Sequence, residues 1–301
     1  MAQTFLNTGT QAGNFEDLVD FINRISNEET PFMSKIGTTK AKAIKHEWMT
    51  QATRAGASNN RAEGFTISPG ATDITVRVRR SNQLQIIAQP FSVSNTQEEV
   101  DKAGLGQSSE YENQKMLKFV EIKKDADFEL IRSTTVTRDA DAGTAGEMDG
   151  LLVWPTGGNA ISAGGTILSQ DLYNKLTQAI AEASGQSTDT ILCAGTQRRI
   201  ISTWTTAFKE HQMKDTTMTD TVEAYRGDYG TQMVMFDIQM ATDQICAFKS
   251  SVLKKAMLRP AFHKEIGQIT HGRQGYVGTE LTLEVQNPNA VGKITSLLVP
   301  A

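Results

Sequence analysis

The sequence predicts an α+β fold built from two regions, and three observations lead there. Residues 43–93 hold two strand-like segments separated by the stretch TQATRAGASNNRAEG, which contains no Val, Ile, Leu, Met, Phe, Tyr or Trp. Residues 109–132 carry one long amphipathic helical pattern. After a Gly-rich run over 138–165 the texture turns to short alternating strands and helices, and near the C-terminus it returns to strands.

The elements follow in order. Residues 1–13 are small and polar and read as an arm ordered by a partner. Asn14 is placed to cap a short helix whose stripe is Phe15, Leu18, Val19, Ile22 and Ile25; Pro31 breaks it. AIKHEWM, over 43–49, reads as a strand with Ile44, His46 and Trp48 on one face. Pro69-Gly70 marks a turn, and ITVRVRR then alternates, Ile74, Val76 and Val78 facing one way and Arg77 and Arg79 the other. In QLQIIAQPFSV, Pro90 belongs at an edge or a bulge, because it cannot donate to a central ladder. Two strands around a long polar segment make an elongated hairpin that projects from the body. A structureless segment of that length signals a task outside the core.

For the long helix, Ser109 and Glu112 form a capping box. Met116, Phe119, Val120, Ala126, Leu130 and Ile131 fall within about 140° of arc, and the helix would be roughly 36 Å long. Lys123 and Asp127 lie inside that arc four residues apart and can pair, either at the edge of the stripe or against a neighbouring molecule. Beyond the Gly-rich run, 169–184 is a helix with Leu172, Leu176 and Ile180 in line. DTILCAG is a buried strand, and Thr196 caps a helix through Ile200, Ile201 and Trp204. TQMVMFDIQM and QICAFKS are strands spaced for a hairpin; GYVGTELTLEVQNP and KITSLLV are the returning strands.

Composition excludes several function classes. The chain of 301 residues is long enough for one large domain or two ordinary ones. A net charge of -4 and the lack of a basic stripe argue against a protein that clamps nucleic acid. No run approaches the 18 or so apolar residues of a membrane helix. Cys193 and Cys246, in ILCAG and QICAF, read as buried thiols of a reducing compartment. His46, His211, His263 and His271 show no metal-ligand spacing; His46 reads as a hydrogen-bonded core histidine, and nothing supports a site shared by His263 and His271. The run AISAG around Ser162 lacks the first Gly of a nucleophile elbow, and GGNAISAGG lacks a phosphate-loop ending. Asp139, Asp141, Glu147 and Asp149 sit in a solvated loop without a calcium ladder. Met233, Met235 and Met240 read as core filling. No enzyme, cofactor or metal is expected. An α/β enzyme using residues 150–260 would require a pocket with a strongly shifted titratable group.

FEDLVDFINRISNEETPFMSKIG followed by KAKAIKHEWMTQ resembles the opening of one family of major capsid proteins of tailed bacteriophages, which have the Hong Kong 97 fold. The carrying residues are Glu16, Asp17 and Leu18, then Glu29, Thr30, Pro31, Phe32, Ser34, Ile36 and Gly37, then His46, Glu47 and Trp48. The resemblance implies an N-arm and short helix over 1–30 and a first part of the peripheral domain over 31–140. Within that part lie an E-loop hairpin at about 43–93 and a spine helix at about 109–132. An axial domain over 150–260 and return strands over 265–301 complete the chain. It implies a shell of pentamers and hexamers around double-stranded DNA, assembled in the bacterial cytoplasm with portal and scaffold proteins as partners. An encapsulin-like compartment is the alternative on the same fold. The polar stretch becomes the E-loop tip, lying over an adjacent subunit. Arg54, Asn59, Asn60, Arg61, Glu63, Arg77 and Arg79, with Lys123 and Asp127, are the intersubunit contact candidates. Because residues 50–64 contain arginines but no lysine, the shell is expected to lack covalent links of the lysine–asparagine type. Body-like sequence from about residue 30 leads us to expect a scaffold that is a separate protein.

Overall fold

A computed structural model of the chain describes residues 29–54, 56–66, 75–100, 109–139, 143–204, 224–267 and 271–299. The expected N-terminal arm and first helix, His211 and the Pro69-Gly70 turn lie outside the described residues. The elements are α1 Pro31–Lys35, β1 Gly37–Lys40, β2 Lys45–Thr50, β3 Val78–Gln83, β4 Gln85–Ser94, α2 Asn95–Glu99 and α3 Glu110–Arg132. They continue with β5 Ala160–Ser162, α4 Gln170–Ser184, β6 Thr190–Cys193, α5 Gly195–Trp204, β7 Ala224–Gly227, β8 Gly230–Phe236, β9 Ile245–Phe248, β10 Leu253–Ile266, β11 Gly272–Val285 and β12 Val291–Thr295.

The strands form three sheets: β1-β10-β11-β4, β5-β12-β9-β6-β8-β7, and the isolated pair β2-β3. Pro90 sits in β4, the outer strand of the first sheet, where the missing N–H breaks no ladder bond. Pro31 opens α1 at a position whose N–H has no intrahelical acceptor.

Helix α3 lies on the first sheet. Ala126, Leu130 and Ile131 join Ile87, Leu281, Leu283 and Val285 in one core, and each fully buried aliphatic side chain contributes roughly 2 kcal/mol. Ser109 caps the helix, its Oγ accepting from the Glu112 N–H at 3.4 Å. The reciprocal carboxylate is not that of Glu112, which pairs with Lys115. Glu98 at the end of α2 supplies it, accepting from the Ser109 hydroxyl and from the Glu110 N–H at 3.0 Å. The predicted apolar arc is fully used only in the C-terminal half. Ile122, Ala126, Leu130 and Ile131 are buried, whereas Phe119 and Val120 are half-buried and Met116 is exposed.

The Gly-rich run is not simply a solvated boundary. It returns to the end of α3, where the N–H groups of Gly150, Leu151 and Leu152 donate to the carbonyls of Ser133, Leu130 and Ile131 at 2.8, 2.8 and 3.1 Å. These bonds satisfy carbonyls that a helix end leaves without partners. A Cβ at Gly150 would stand 2.9 Å from the Glu129 carbonyl oxygen, so the approach needs glycine.

The six-stranded sheet is covered on both faces. Ile191 and Cys193 of β6, with Ile245 and Ala247 of β9, pack under α4 and α5. Leu192, Cys246 and Phe248 point the other way, into the core shared with α3. That is why both strands are continuous apolar runs. Three expectations are corrected here. β8 and β9 do not form a hairpin; β6 lies between them, parallel to β8 and antiparallel to β9, so that its buried backbone groups pair along both edges. KITSLLV does not return to the first sheet; β12 pairs with β5 and β9, burying Val291 and Ile294 on opposite faces. Thr196 does not cap α5, since the helix already includes Gly195. Met240 is buried as expected, but Met233 is 50% exposed.

Candidate intersubunit surface

The β2-β3 hairpin is rooted at the end of β11. His46 Nε2 lies 2.9 Å from Glu284 Oε2, and Trp48 Nε1 donates to the Val285 carbonyl at 3.0 Å. Asn82 is buried between the two parts. Its Nδ2 donates to the Leu283 carbonyl at 2.8 Å and to the Asp149 carbonyl at 3.0 Å, and its Oδ1 accepts from the Asp149 N–H at 2.8 Å. His46 and Trp48 share the inward face, as their spacing predicts. The rigid base aims everything beyond it.

Away from that base the hairpin leaves its own body. Ladder pairing runs from Lys45 opposite Gln83 to Thr50 opposite Val78. Ile44, expected on the face of His46 and Trp48, is 53% exposed; Val76 and Val78, expected to share a face, are 76% and 53% exposed, and Met49 and Phe65 are exposed as well. Among the described residues no layer covers either face there, so the apolar alternation that makes a strand does not yield a core. Arg79 is exposed beside Glu47, Nη1 to Oε2 3.5 Å. Beyond the last bridge, Gln51 ties the two strands, donating to the Thr75 carbonyl at 2.9 Å and accepting from Arg77 Nε at 3.4 Å. In the tip, Arg54, Asn59, Asn60, Arg61 and Glu63 are exposed, with the Arg61 guanidinium 5.7 Å from the centre of the Phe65 ring. The surface is a mixture of planar cations, amides and isolated apolar side chains. Such a mixture suits contact with protein better than a single-sign charged stripe would.

The Lys123–Asp127 pair does not form as predicted. Lys123 is exposed, whereas Asp127 is buried beneath α1 and accepts from the Met33 N–H at 2.6 Å. Burial pushes the Asp127 carboxyl up to about 8, reinforced by the charge of Asp237 and a hydrogen bond to it. Asp127 is therefore not an intersubunit contact. Its place under α1 was not legible because α1 and α3 are far apart in sequence.

Among the described residues, no group of three or more His, Cys, Asp or Glu gathers to hold a metal ion, and no helix is long and apolar enough to cross a membrane. His263 is engaged with the Tyr111 hydroxyl at 2.9 Å, while His271 is exposed. Cys193 and Cys246 are buried free thiols; burial pushes Cys193 up to about 12 and Cys246 further still.

Comparison with known proteins returns one family and one fold. The SU10 major capsid protein family matches residues 3–298. Among solved structures, one from Mycobacterium phage Bobi superposes with a TM-score of 0.63 at 14% identity, covering 96% of each chain. The capsid of a native GTA particle gives a TM-score of 0.62 at 12% identity, again over 96% of each chain. The holo-SrpI encapsulin complex from Synechococcus elongatus gives 0.60 at 9% identity, over 93% of this chain and 94% of that one. No curated protein matches. At such identities the superpositions speak for the fold, and the family match covers almost the whole sequence: this chain belongs to the SU10 major capsid protein family.

Proposed function

We propose that the chain is the repeating subunit of an icosahedral shell, built of pentamers and hexamers, that encloses the double-stranded DNA of a tailed phage. The carrying observation is the β2-β3 arm, whose apolar and charged side chains are left uncovered by the described residues of their own chain although its base is firmly bonded. In this reading the arm is the E-loop, α3 the spine helix, the β1-β10-β11-β4 sheet the peripheral domain and the six-stranded sheet the axial domain. Arg54, Asn59, Asn60, Arg61, Glu63, Arg77, Arg79 and Lys123 meet neighbouring subunits. The role is structural and no catalysis is assigned. Assembly takes place in the host cytoplasm with portal and scaffold proteins. The mild negative charge of -4 suits a wall that does not grip the phosphates it surrounds. Many moderate heterologous contacts become collectively strong once the shell closes.

The test is sedimentation and electron microscopy of the purified chain, alone and with its scaffold. Closed shells are expected; a uniform monomer or dimer under every assembly condition would overturn the reading. The likeness to an encapsulin supports a second reading, a compartment for cargo protein. Nucleic acid inside particles purified from infected cells favours the first, and enclosed enzyme favours the second.

A further inference from the structure

Two carboxylates meet in the buried junction beneath α1. Asp127 comes from α3 and Asp237 from the turn after β8, and both are fully buried. Each holds one N–H of α1: Asp127 Oδ1 that of Met33 at 2.6 Å, Asp237 Oδ2 that of Phe32 at 3.3 Å. Asp237 Oδ1 also accepts from the Gln239 N–H at 2.9 Å. The remaining oxygen, Asp127 Oδ2, has no donor among the described residues, and among them the side chain that bears on Asp127 by a hydrogen bond is Asp237. Two acceptors facing each other away from bulk solvent repel unless a proton lies between them.

We propose that Asp127 and Asp237 share a single proton, and that this proton latches α1 onto both the long helix and the six-stranded sheet. The inference stands on this junction alone and does not depend on the shell reading. The ionisable groups bearing on Asp127 are Asp237 and, from β10, Lys255. Lys255 does not replace the proton. Its ammonium donates to the Met33 carbonyl at 2.8 Å, and its own pKa is lowered by burial. It is thus a third tie on α1. From α1 itself come backbone N–H groups, beside the Phe32 ring seated edge-on to Phe248 at 5.6 Å.

The sign of the pH response follows. Asp127 keeps its proton in the fold up to about pH 8, against an ordinary value of 3.8. The folded state therefore binds more protons than the unfolded chain between those limits, and its stability falls as pH rises through that window. Above it, two buried carboxylates repel, and lifting α1 is the shortest route by which water reaches them.

The test uses the purified full chain. Infrared spectra should show the carbonyl stretch of a protonated carboxylic acid at about pH 6 that is gone by about pH 9 and is absent from Asp127→Asn. Hydrogen-exchange protection of the Phe32 and Met33 amides, corrected for intrinsic rates, should fall about tenfold or more over the same range in the wild type. It should stay nearly flat in Asp127→Asn, whose amide is neutral at every pH and donates to Asp237. Absence of the acid band at about pH 6, or an unchanged pH response in Asp127→Asn, overturns the proposal. If that variant does not fold, Asp237→Asn is read in the same way; if neither folds, the wild-type band and protection profile decide.

Discussion

Strands β6 and β3 are both short, yet they end in opposite environments. Every residue of β6 is buried, Leu192 on one side of its sheet and Ile191 and Cys193 on the other. In β3 only Asn82 is buried, and Val78 stands 53% exposed next to Arg79. The first strand gives all its apolar surface to its own fold, whereas among the described residues none covers Val78 of the second. In the proposed shell, stability of the subunit and contact between subunits depend on separate sets of residues, joined at the base of the arm.

The sharpest contrast comes from the buried side. Phe248 in β9 is fully buried against Phe32, and Phe248→Ala removes a ring from the core shared by both sheets. A loss of about 4 kcal/mol is expected, measured by denaturant unfolding of the unassembled chain. A loss below about 1 kcal/mol would mean that the two sheets do not share a core. At the joint, Asn82→Ala should cost about 2 kcal/mol, because the Leu283 and Asp149 carbonyls and the Asp149 N–H lose buried partners. It should also reduce particle yield, since the arm loses its aim; an unfolding curve like that of the wild type would show that the joint is not rigid. On the arm, Arg79→Ala should leave the unfolding midpoint unchanged, because its contact with Glu47 is an exposed ion pair. Particle yield should nevertheless fall by a measurable fraction, read by sedimentation; yield equal to wild type would remove Arg79 from the contact surface.

What the sequence revealed follows the same division. Periodicity found α3, α4 and β6 because their own apolar stripes meet their own core. It found the inward face of β2, where His46 and Trp48 return to β11. It put Val76 and Val78 on one face and left open whether that face is covered, since alternation states only which residues share a face. It paired Lys123 with Asp127 because helical spacing is local; the true partner of Asp127 is the Met33 N–H, 94 residues away in sequence. The order of the six-stranded sheet was equally hidden. β12 returns to it from the far end of the chain, past the β10-β11 hairpin. Of the contact candidates, the tip residues were legible through composition alone, a long run without a large apolar side chain.

The central claim is that the arm belongs to the neighbour and not to its own fold. Replacing residues 52–62 with a short Gly-Ser turn tests it most directly. The described residues of that stretch are all exposed, and it holds no apolar side chain larger than Ala, so almost no core burial is lost. Shortening the loop changes closure entropy by about 1 kcal/mol at most. Thermal melting of the unassembled variant and sedimentation of its particles are the paired readouts. The account predicts a soluble subunit whose melting temperature stays within a few degrees of wild type, together with few or fragile particles. A variant that unfolds in isolation, or one that forms shells as abundant and as stable as wild type, would contradict it.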